Sequence, residues 1–202
     1  MLRSIVVLLF FLPAVCHAAT VLVFGDSLSA GFGLRIEEAW PSLLQKRIAG
    51  EGFKQTVVNA SVSGETTAGG RTRLPAALAQ HKPEAVVIEL GANDGLRGLP
   101  MTAMRDNLDA MTRMATEAGA KVVIVGMQLP PNYGRAYGDR FAALFADVAK
   151  SEGAALVPFL LKGVADAANA EAMFQPDRIH PLASAHPTML ANVWPVLAPL
   201  LK

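Results

Sequence analysis

Apolar and polar positions alternate along the chain in a pattern typical of an α/β protein. Five short runs rich in valine and other apolar residues are bounded by polar, glycine or proline residues, as buried strands are. The runs are TVLVF at 20–24, TVVNA at 56–60, EAVVIEL at 84–90, KVVIVGM at 121–127 and AALVPF at 154–159. The third run is apolar nearly throughout, which predicts a strand buried on both faces of a sheet.

Amphipathic segments separate these runs and predict helices. The segments lie near 39–50, 68–81, 101–118, 138–152 and 184–201. Strands that alternate with helices form parallel sheets, and right-handed crossovers place the helices on both faces. We therefore predict a three-layer α/β/α sandwich around a five-stranded parallel sheet, with its functional edge at the carboxyl ends of the strands.

Residues 1–18 have the pattern of a secretory signal peptide. Arg3 precedes the apolar stretch 5–15, and the segment 16–18 (CHA) is similar to a small-residue cleavage site. This stretch is shorter than the roughly 20 residues that cross a bilayer, and no later segment is apolar enough. We expect a bacterial protein that is exported to the periplasm or secreted, without a stable membrane anchor. A lipoprotein interpretation of Cys16 stays open, although the segment 13–15 (PAV) lacks the usual Leu-small-small sequence.

Composition limits the class of binding partner and the number of domains. The 18 basic and 17 acidic residues balance once Arg3 is removed, so no charge signal for nucleic acid remains. Cys16 is the only cysteine, so residues 19–202 would have neither a disulfide nor a thiol nucleophile. With 52% apolar residues and no linker or repeat, residues 19–202 are expected to form a single domain. No pattern indicates an oligomeric state.

Polar, glycine-containing loops follow the first three predicted strands. They are the segments 25–27 (GDS), 59–66 (NASVSGET) and 91–95 (GANDG). Each loop alone is typical of an ordinary turn, in which Asp26 or Ser27 would be a helix cap. Three such loops at one sheet edge instead favour a functional site there, with Ser27 as a candidate nucleophile.

A serine nucleophile needs a base, and residues 19–202 contain three histidines. His81 precedes a strand, at the opposite edge of the sheet, and suits the end of a helix. His180 lies three residues after Asp177, so that the carboxylate can hold one ring nitrogen while the other faces a serine. His186 is a rival base, but it falls at the opening of the last helix and has no acidic residue nearby in sequence.

In four motifs the chain resembles the GDSL or SGNH hydrolases, and it is most similar to their exported bacterial esterases, thioesterases and lysophospholipases. Ser27 in GDSLS, Gly64 in NASVSGET, Asn93 in GANDG and His180 in DRIHP match the four family blocks in order. The resemblance implies a flavodoxin-like sheet and a triad of Ser27, Asp177 and His180. It also implies an oxyanion hole formed by the Ser27 amide, the Gly64 amide and the Asn93 side chain. No metal or organic cofactor is expected, since no motif for either occurs.

Two departures from these relatives and one apolar loop bear on the substrate. Arg178 stands where the family usually has glycine, which predicts backbone strain if the position has a positive φ. Phe32 and Gly33 follow the nucleophile motif and are expected to alter the acyl entrance. The loop 127–134 (MQLPPNYG) is apolar and is expected to line an acyl groove. From these loops we expect substrate contacts from Asp94, Leu129, Pro130 and Tyr133.

The expected function is that of a serine hydrolase acting on small-molecule carboxylic esters and thioesters of acyl groups, through an acyl-enzyme on Ser27. A carbohydrate O-acetylesterase on the same frame is an alternative, although few aromatic residues are available to stack on a sugar. A non-catalytic binding module is the other alternative. It would predict a damaged triad, whereas all the motif residues are present.

Overall fold

A five-stranded parallel sheet forms the centre of the structure, a computed structural model that describes residues 19–202. The predicted signal peptide lies outside the described residues. The strands are β1 (Thr20–Gly25), β2 (Thr56–Asn59), β3 (Ala85–Glu89), β4 (Lys121–Val125) and β5 (Ala155–Val157). They run in the order β2-β1-β3-β4-β5, with Val23 paired to Asn59 on one side and to Val87 on the other. The predicted five-stranded parallel sheet is confirmed.

Helices cover both faces of this sheet. They are α1 (Ser27–Ala30), α2 (Trp40–Gly50), α3 (Thr67–His81), α4 (Ala92–Leu96), α5 (Met101–Glu117), α6 (Arg135–Glu152) and α7 (His186–Leu197). α2 packs against α7 on one face, and α3, α5 and α6 pack side by side on the other. Within residues 19–202, no helix is long and apolar enough to cross a membrane.

The central strands are buried on both faces, whereas the edge strand β2 is not. All five residues of β3 are buried, which agrees with the apolar run in the sequence. In β2, Val57 and Val58 are only partly buried, and Thr56 and Asn59 are exposed. Position in the sheet therefore decides burial, since β2 has a strand neighbour on one side only.

Two helices differ from their predicted bounds. α6 begins at Arg135 rather than near 138, directly after Gly134, whose φ of 85° ends the preceding turn. The predicted last helix, 184–201, consists of α7 flanked by the 3-10 turns Ala183–Ala185 and Ala198–Leu201. Proline at position 187 suits the first turn of α7, because its missing N–H group has no partner there.

The topology places a crevice between the carboxyl ends of β1 and β3. The chain leaves β1 for β2 at one edge and then returns to β3 on the other side of β1. Open α/β sheets bind ligands at such switch points. Ser27 follows β1 and Asn93 follows β3, so both lie at this crevice.

Candidate active site

Ser27 is the first residue of a one-turn helix that starts directly beyond β1. Asp26 caps this helix by accepting a hydrogen bond from the Leu28 N–H at 3.0 Å. Gly25 allows β3 to approach closely, because a Cβ there would lie 2.6 Å from the Glu89 Oε2 atom. Ser27 itself is only 9% exposed. Packing of the strand ends therefore holds the Ser27 hydroxyl in one place.

The side chains of Ser27, His180 and Asp177 form a continuous hydrogen-bonded chain. His180 Nε2 lies 2.8 Å from Ser27 Oγ, and His180 Nδ1 lies 2.7 Å from Asp177 Oδ2. Asp177 Oδ1 also accepts hydrogen bonds from the N–H groups of His180 and Ile179, at 3.0 and 2.9 Å. The backbone bond from His180 is the main cause that lowers the Asp177 pKa to about 2. An ionised carboxylate at this place requires a proton on His180 Nδ1, which leaves Nε2 free to accept the Ser27 proton.

The other two histidines lie away from Ser27. His186 is buried, and its Nδ1 atom accepts a hydrogen bond from the Trp40 N–H at 3.0 Å. Burial lowers the His186 pKa to about 4. His81 is the last residue of α3, at the opposite edge of the sheet. The structure thus places His180, and neither rival histidine, beside the serine.

Three residues with available hydrogen-bond donors line the same cavity. Ser27, Gly64 and Asn93 all line one cavity together with His180. Within residues 19–202, the N–H groups of Ser27 and Gly64 donate to no other protein atom. Asn93 Nδ2 donates one hydrogen to Asp26 Oδ2 at 3.0 Å, which leaves its second hydrogen unused there. This set of donors is the kind that stabilises a developing oxyanion.

A buried pair of carboxyl groups lies directly behind the serine. Glu89 is fully buried, and its Oε2 atom accepts hydrogen bonds from the Ser29 hydroxyl at 2.7 Å and the Asp26 N–H at 3.3 Å. Burial raises the Asp26 pKa to about 6. Burial, together with the Asp26 charge, also raises the Glu89 pKa well above its usual range. Sequence reasoning missed this pair, although a glutamate inside the apolar run 84–90 is an unusual signal.

An apolar cavity of about 620 Å³ opens beside Ser27. It receives side chains from loops after β1, β3, β4 and β5 and from the segment that carries His180. The apolar lining residues include Leu28, Phe32, Leu96, Met127, Leu129, Pro130, Phe159, Leu161, Phe174 and Ile179. Leu129 and Pro130 lie where the sequence predicted, whereas Phe159, Leu161 and Phe174 were missed because only the tertiary fold brings them here.

Asp94 and Tyr133, two of the predicted substrate contacts, lie outside the cavity. Asp94 is buried and accepts hydrogen bonds from the Thr67 N–H at 2.9 Å and from the Thr67 hydroxyl at 2.6 Å. The Tyr133 hydroxyl donates to the Leu96 carbonyl at 3.0 Å. Neither residue lines the cavity. Their positions therefore support structural contacts rather than contact with substrate.

The two departures from the family pattern both border the cavity. Arg178 has a φ of 59°, so a non-glycine residue occupies the left-handed region. His180 Nδ1 nevertheless lies within hydrogen-bond distance of Asp177 Oδ2, at 2.7 Å. The Phe32 ring lies 4.3 Å from the His180 ring, measured between centroids, and also lines the cavity.

Comparison with known proteins agrees with this geometry. The model of the GDSL-like lipase/acylhydrolase family matches residues 23–187. The chain is 53% identical over 184 residues to esterase TesA of Pseudomonas aeruginosa, which covers 91% of this chain and 90% of the relative. It is 39% identical over 185 residues to thioesterase 1/protease 1/lysophospholipase L1 of Escherichia coli, covering 92% and 86%. A crystal structure of TesA superimposes with a TM-score of 0.86 at 52% identity, over 90% of this chain and 99% of the other.

These matches define the class of enzyme. The chain belongs to the GDSL-like lipase/acylhydrolase family. The predicted fold and the predicted class, a carboxylic ester hydrolase, are both confirmed.

Proposed function

We propose that this enzyme hydrolyses esters and thioesters of medium or long acyl chains, with Ser27 as nucleophile, His180 as general base and Asp177 as the group that orients His180. The observation that carries the proposal is the Ser27–His180–Asp177 chain, with contacts of 2.8 and 2.7 Å, at the edge of an apolar cavity. Nucleophilic catalysis requires this order of contacts.

The reaction proceeds in two acyl-transfer steps. His180 Nε2 takes the proton from Ser27 Oγ while that oxygen bonds to the substrate carbonyl carbon. The tetrahedral intermediate collapses, His180 returns the proton to the leaving oxygen or sulfur, and the acyl group stays on Ser27. A water molecule then gives a proton to His180 and attacks the acyl carbon. The second collapse returns that proton to Ser27 and releases the carboxylic acid.

The negative charge in both intermediates develops on the carbonyl oxygen. The N–H groups of Ser27 and Gly64 and the second amide hydrogen of Asn93 are the donors for it. Removal of one such donor typically raises the barrier by about 2.7–4 kcal/mol. Asn93→Ala is therefore expected to lower kcat while KM changes little.

The cavity supports an acyl substrate. Its lining is mostly apolar and large enough for a chain of several methylenes, each of which gains about 0.8 kcal/mol on burial. Two relatives are named as an esterase and as a thioesterase and lysophospholipase, which supports the same substrate class. Trp40 is fully buried and Trp194 packs edge-on against Phe53, so neither offers a surface for sugar stacking at the cavity. The aromatic rings at the cavity are those of Phe32, Phe159 and Phe174, within a lining that is mostly apolar, which favours an acyl chain over a sugar. The assembled contacts around Ser27 disfavour a binding module.

Export remains part of the proposal. The sequence supports a signal peptide over residues 1–18 and one hydrolase domain over 19–202, acting on a small-molecule ester in the periplasm or outside the cell. Expression of the full chain in a bacterium, followed by an intact-mass measurement of the exported protein, tests this. A mass that begins at Ala19 is expected, and retention of the first 18 residues would contradict it.

The experiment for the activity is a panel of p-nitrophenyl esters from acetate to palmitate. Initial rates of the wild type are compared with those of Ser27→Ala and of Ser151→Ala, a control on α6 whose hydroxyl bonds the Val148 carbonyl. We expect Ser27→Ala to lose at least about 10³-fold of the rate and Ser151→Ala to keep it. Preference for medium or long chains is expected. A sharp acetate preference would instead favour the carbohydrate esterase, and turnover without Ser27 would overturn the mechanism.

A further inference from the structure

Arg97 connects the two loops that supply Gly64 and Asn93. It directly follows α4, and its Nη2 atom donates to the Gly64 carbonyl at 2.9 Å. The same atom lies 3.4 Å from Asn93 Oδ1. One guanidinium nitrogen thus contacts two of the three residues proposed to stabilise the oxyanion, and these come from different loops.

The contact with Asn93 determines which way its amide group faces. A carboxamide can rotate to exchange its oxygen and nitrogen, and only one orientation presents an N–H to the substrate. Arg97 can donate but not accept, so it requires the amide oxygen on its own side. Asp26 Oδ2 accepts from Asn93 Nδ2 at 3.0 Å on the other side. The two contacts together leave the second amide hydrogen available to the substrate oxygen.

Asp26 alone does not guarantee this orientation. Burial raises its pKa to about 6, so that it gains a proton in mild acid and can then donate as well as accept. A protonated Asp26 is compatible with either orientation of the amide. A guanidinium carries N–H donors and no acceptor, so Arg97 can only donate. When Asp26 is protonated, Arg97 is therefore the contact that keeps the orientation unique.

The contact with Gly64 fixes an exposed loop. Gly64 has a φ of 78° and lies in a segment whose neighbours Val62 and Ser63 are also exposed. The Gly64 carbonyl belongs to the peptide bond with Glu65, so Arg97 holds Gly64 without using its N–H group. The Gly64 N–H group therefore stays available to an oxyanion while the contact with Arg97 holds Gly64 in position.

We propose that Arg97 is a positioning residue for the oxyanion hole: it holds Gly64 in place and sets the orientation of the Asn93 amide. The inference rests on the proposed function, since it concerns the same reaction. Arg97 does not line the cavity and acts through the two residues that do.

Arg97→Met is the first test, because methionine keeps much of the apolar stem and removes the donors. We expect kcat for a p-nitrophenyl ester to fall about tenfold, as small misplacements at an active site do, while KM changes less than about twofold. Arg71→Met is the matched control, because Arg71 Nη1 donates to the Asn107 Oδ1 atom at 3.3 Å, likewise on the surface. Its kcat is expected to stay at the wild-type value. Arg97→Lys, which keeps a donor, is expected to recover part of the loss.

A double-mutant cycle separates positioning from general destabilisation. If Arg97 acts partly through Asn93, then Arg97→Met costs less in the Asn93→Ala background than in the wild type, about threefold rather than tenfold. An equal cost in both backgrounds, a change in KM alone, or a loss explained by a lower Tm would overturn the inference. Ser27→Ala in the same assay tests the proposed function separately. If Ser27→Ala is inactive but Arg97→Met is unchanged, the inference fails while the mechanism stands.

Discussion

Ser27 and His180 are in contact, yet the regions that position them are built in opposite ways. Ser27 directly follows the buried strand β1, after Gly25 and the helix-capping residue Asp26. His180 lies in the segment 174–181, which has no regular helix or strand and is exposed over residues 176–179. The proposed nucleophile is positioned by the core, and its proposed base by local polar contacts.

The His180 segment closes on itself through short-range bonds. The Gln175 N–H donates to the His180 carbonyl at 2.7 Å, and Phe174 pairs with Pro181 in an isolated bridge. The Gln175 side chain also donates to the Phe32 carbonyl at 2.8 Å, which attaches the segment to the loop after Ser27. Changes in this segment should therefore alter activity more than stability, and changes behind Ser27 should do the reverse.

The largest effect is expected in the exposed region, from Asp177→Asn. The new side chain keeps Oδ1 for the N–H groups of Ile179 and His180 but replaces Oδ2 with an NH₂ group. That group donates to His180 Nδ1, so the neutral ring carries its proton on Nε2 and cannot accept the one from Ser27. We expect kcat to fall about 10³- to 10⁴-fold, with a fall in Tm of only about 2–4 °C, in steady-state and thermal unfolding measurements.

Asp166→Asn is the matched control for this variant. Asp166 is another carboxylate that lines the cavity, and its Oδ1 atom accepts from the Gly163 N–H. Its replacement is expected to change kcat less than about threefold, since a neutral amide keeps that one bond. Equal losses in the two variants would show that cavity charge, rather than the His180 tautomer, sets the rate.

The next effect belongs to the buried region, where Gly25→Ala should reduce stability. A Cβ atom at this position would lie 2.6 Å from Glu89 Oε2, 2.8 Å from Ser29 Oγ and 2.9 Å from the Glu89 carbonyl. Neighbouring strands cannot separate freely, so we expect a loss of about 1–3 kcal/mol in the free energy of unfolding. Gly50→Ala is the control, because nothing lies within 4 Å of a Cβ there. A loss in the control as large as in Gly25→Ala would contradict the packing explanation.

The same contrast explains how much could be predicted from the sequence. The central strands β1, β3 and β4 were predictable because buried runs rich in β-branched residues are long enough to recognise. The position of Ser27 at the site was predictable because the carboxyl ends of parallel strands meet at one edge. The pairing of Asp177 with His180 was predictable from local spacing, since His180 lies only three residues after Asp177.

Contacts between distant segments were not predictable in this way. Asp94 follows Asn93 in the one-turn helix α4, where successive side chains point about 100° apart. Asn93 therefore faces Asp26 while Asp94 faces Thr67, which no loop pattern reveals. The contact of Arg97 with Gly64 likewise depends on how two loops meet.

A smaller effect should appear in the pH dependence of stability. Glu89 and Asp26 have raised pKa values in the folded protein because they are buried. A carboxyl group with a raised folded pKa binds its proton more tightly in the folded state. Its stabilising contribution is thus lost as pH rises from the unfolded value, near 4, through the folded value. Glu89→Gln removes one of the two charges, so we expect stability to fall less between pH 5 and pH 8, by on the order of 1 kcal/mol.

Urea unfolding at a series of pH values measures this difference. Glu117→Gln, at the exposed end of α5, is the control. Its free energy of unfolding is expected to change with pH in the same way as that of the wild type. If that of Glu89→Gln does so too, the pair does not titrate in this range, and the buried side of the site is insensitive to pH.

The smallest effect is expected back in the exposed region, from Arg178→Gly. Arg178 has a φ of 59°, a conformation that costs an L residue roughly 1 kcal/mol and glycine very little. Part of this gain is offset because glycine makes the unfolded chain more flexible. We expect a net gain of about 0.5 kcal/mol and a kcat within about twofold of wild type, because the bonds to Asp177 Oδ1 are made by backbone N–H groups that glycine does not disturb.

Lys82→Gly is the comparison variant for this small expected gain in the free energy of unfolding. Lys82 is the other non-glycine residue with a positive φ within residues 19–202, and it follows α3 at the opposite edge of the sheet. If backbone strain alone determines the change in stability, the free energy of unfolding of both variants rises by about 0.5 kcal/mol, as measured by urea unfolding. A gain in Lys82→Gly alone would mean that the Arg178 side chain makes a compensating contribution at the cavity. The Arg178 side chain would then stabilise the same segment that carries the proposed base, His180.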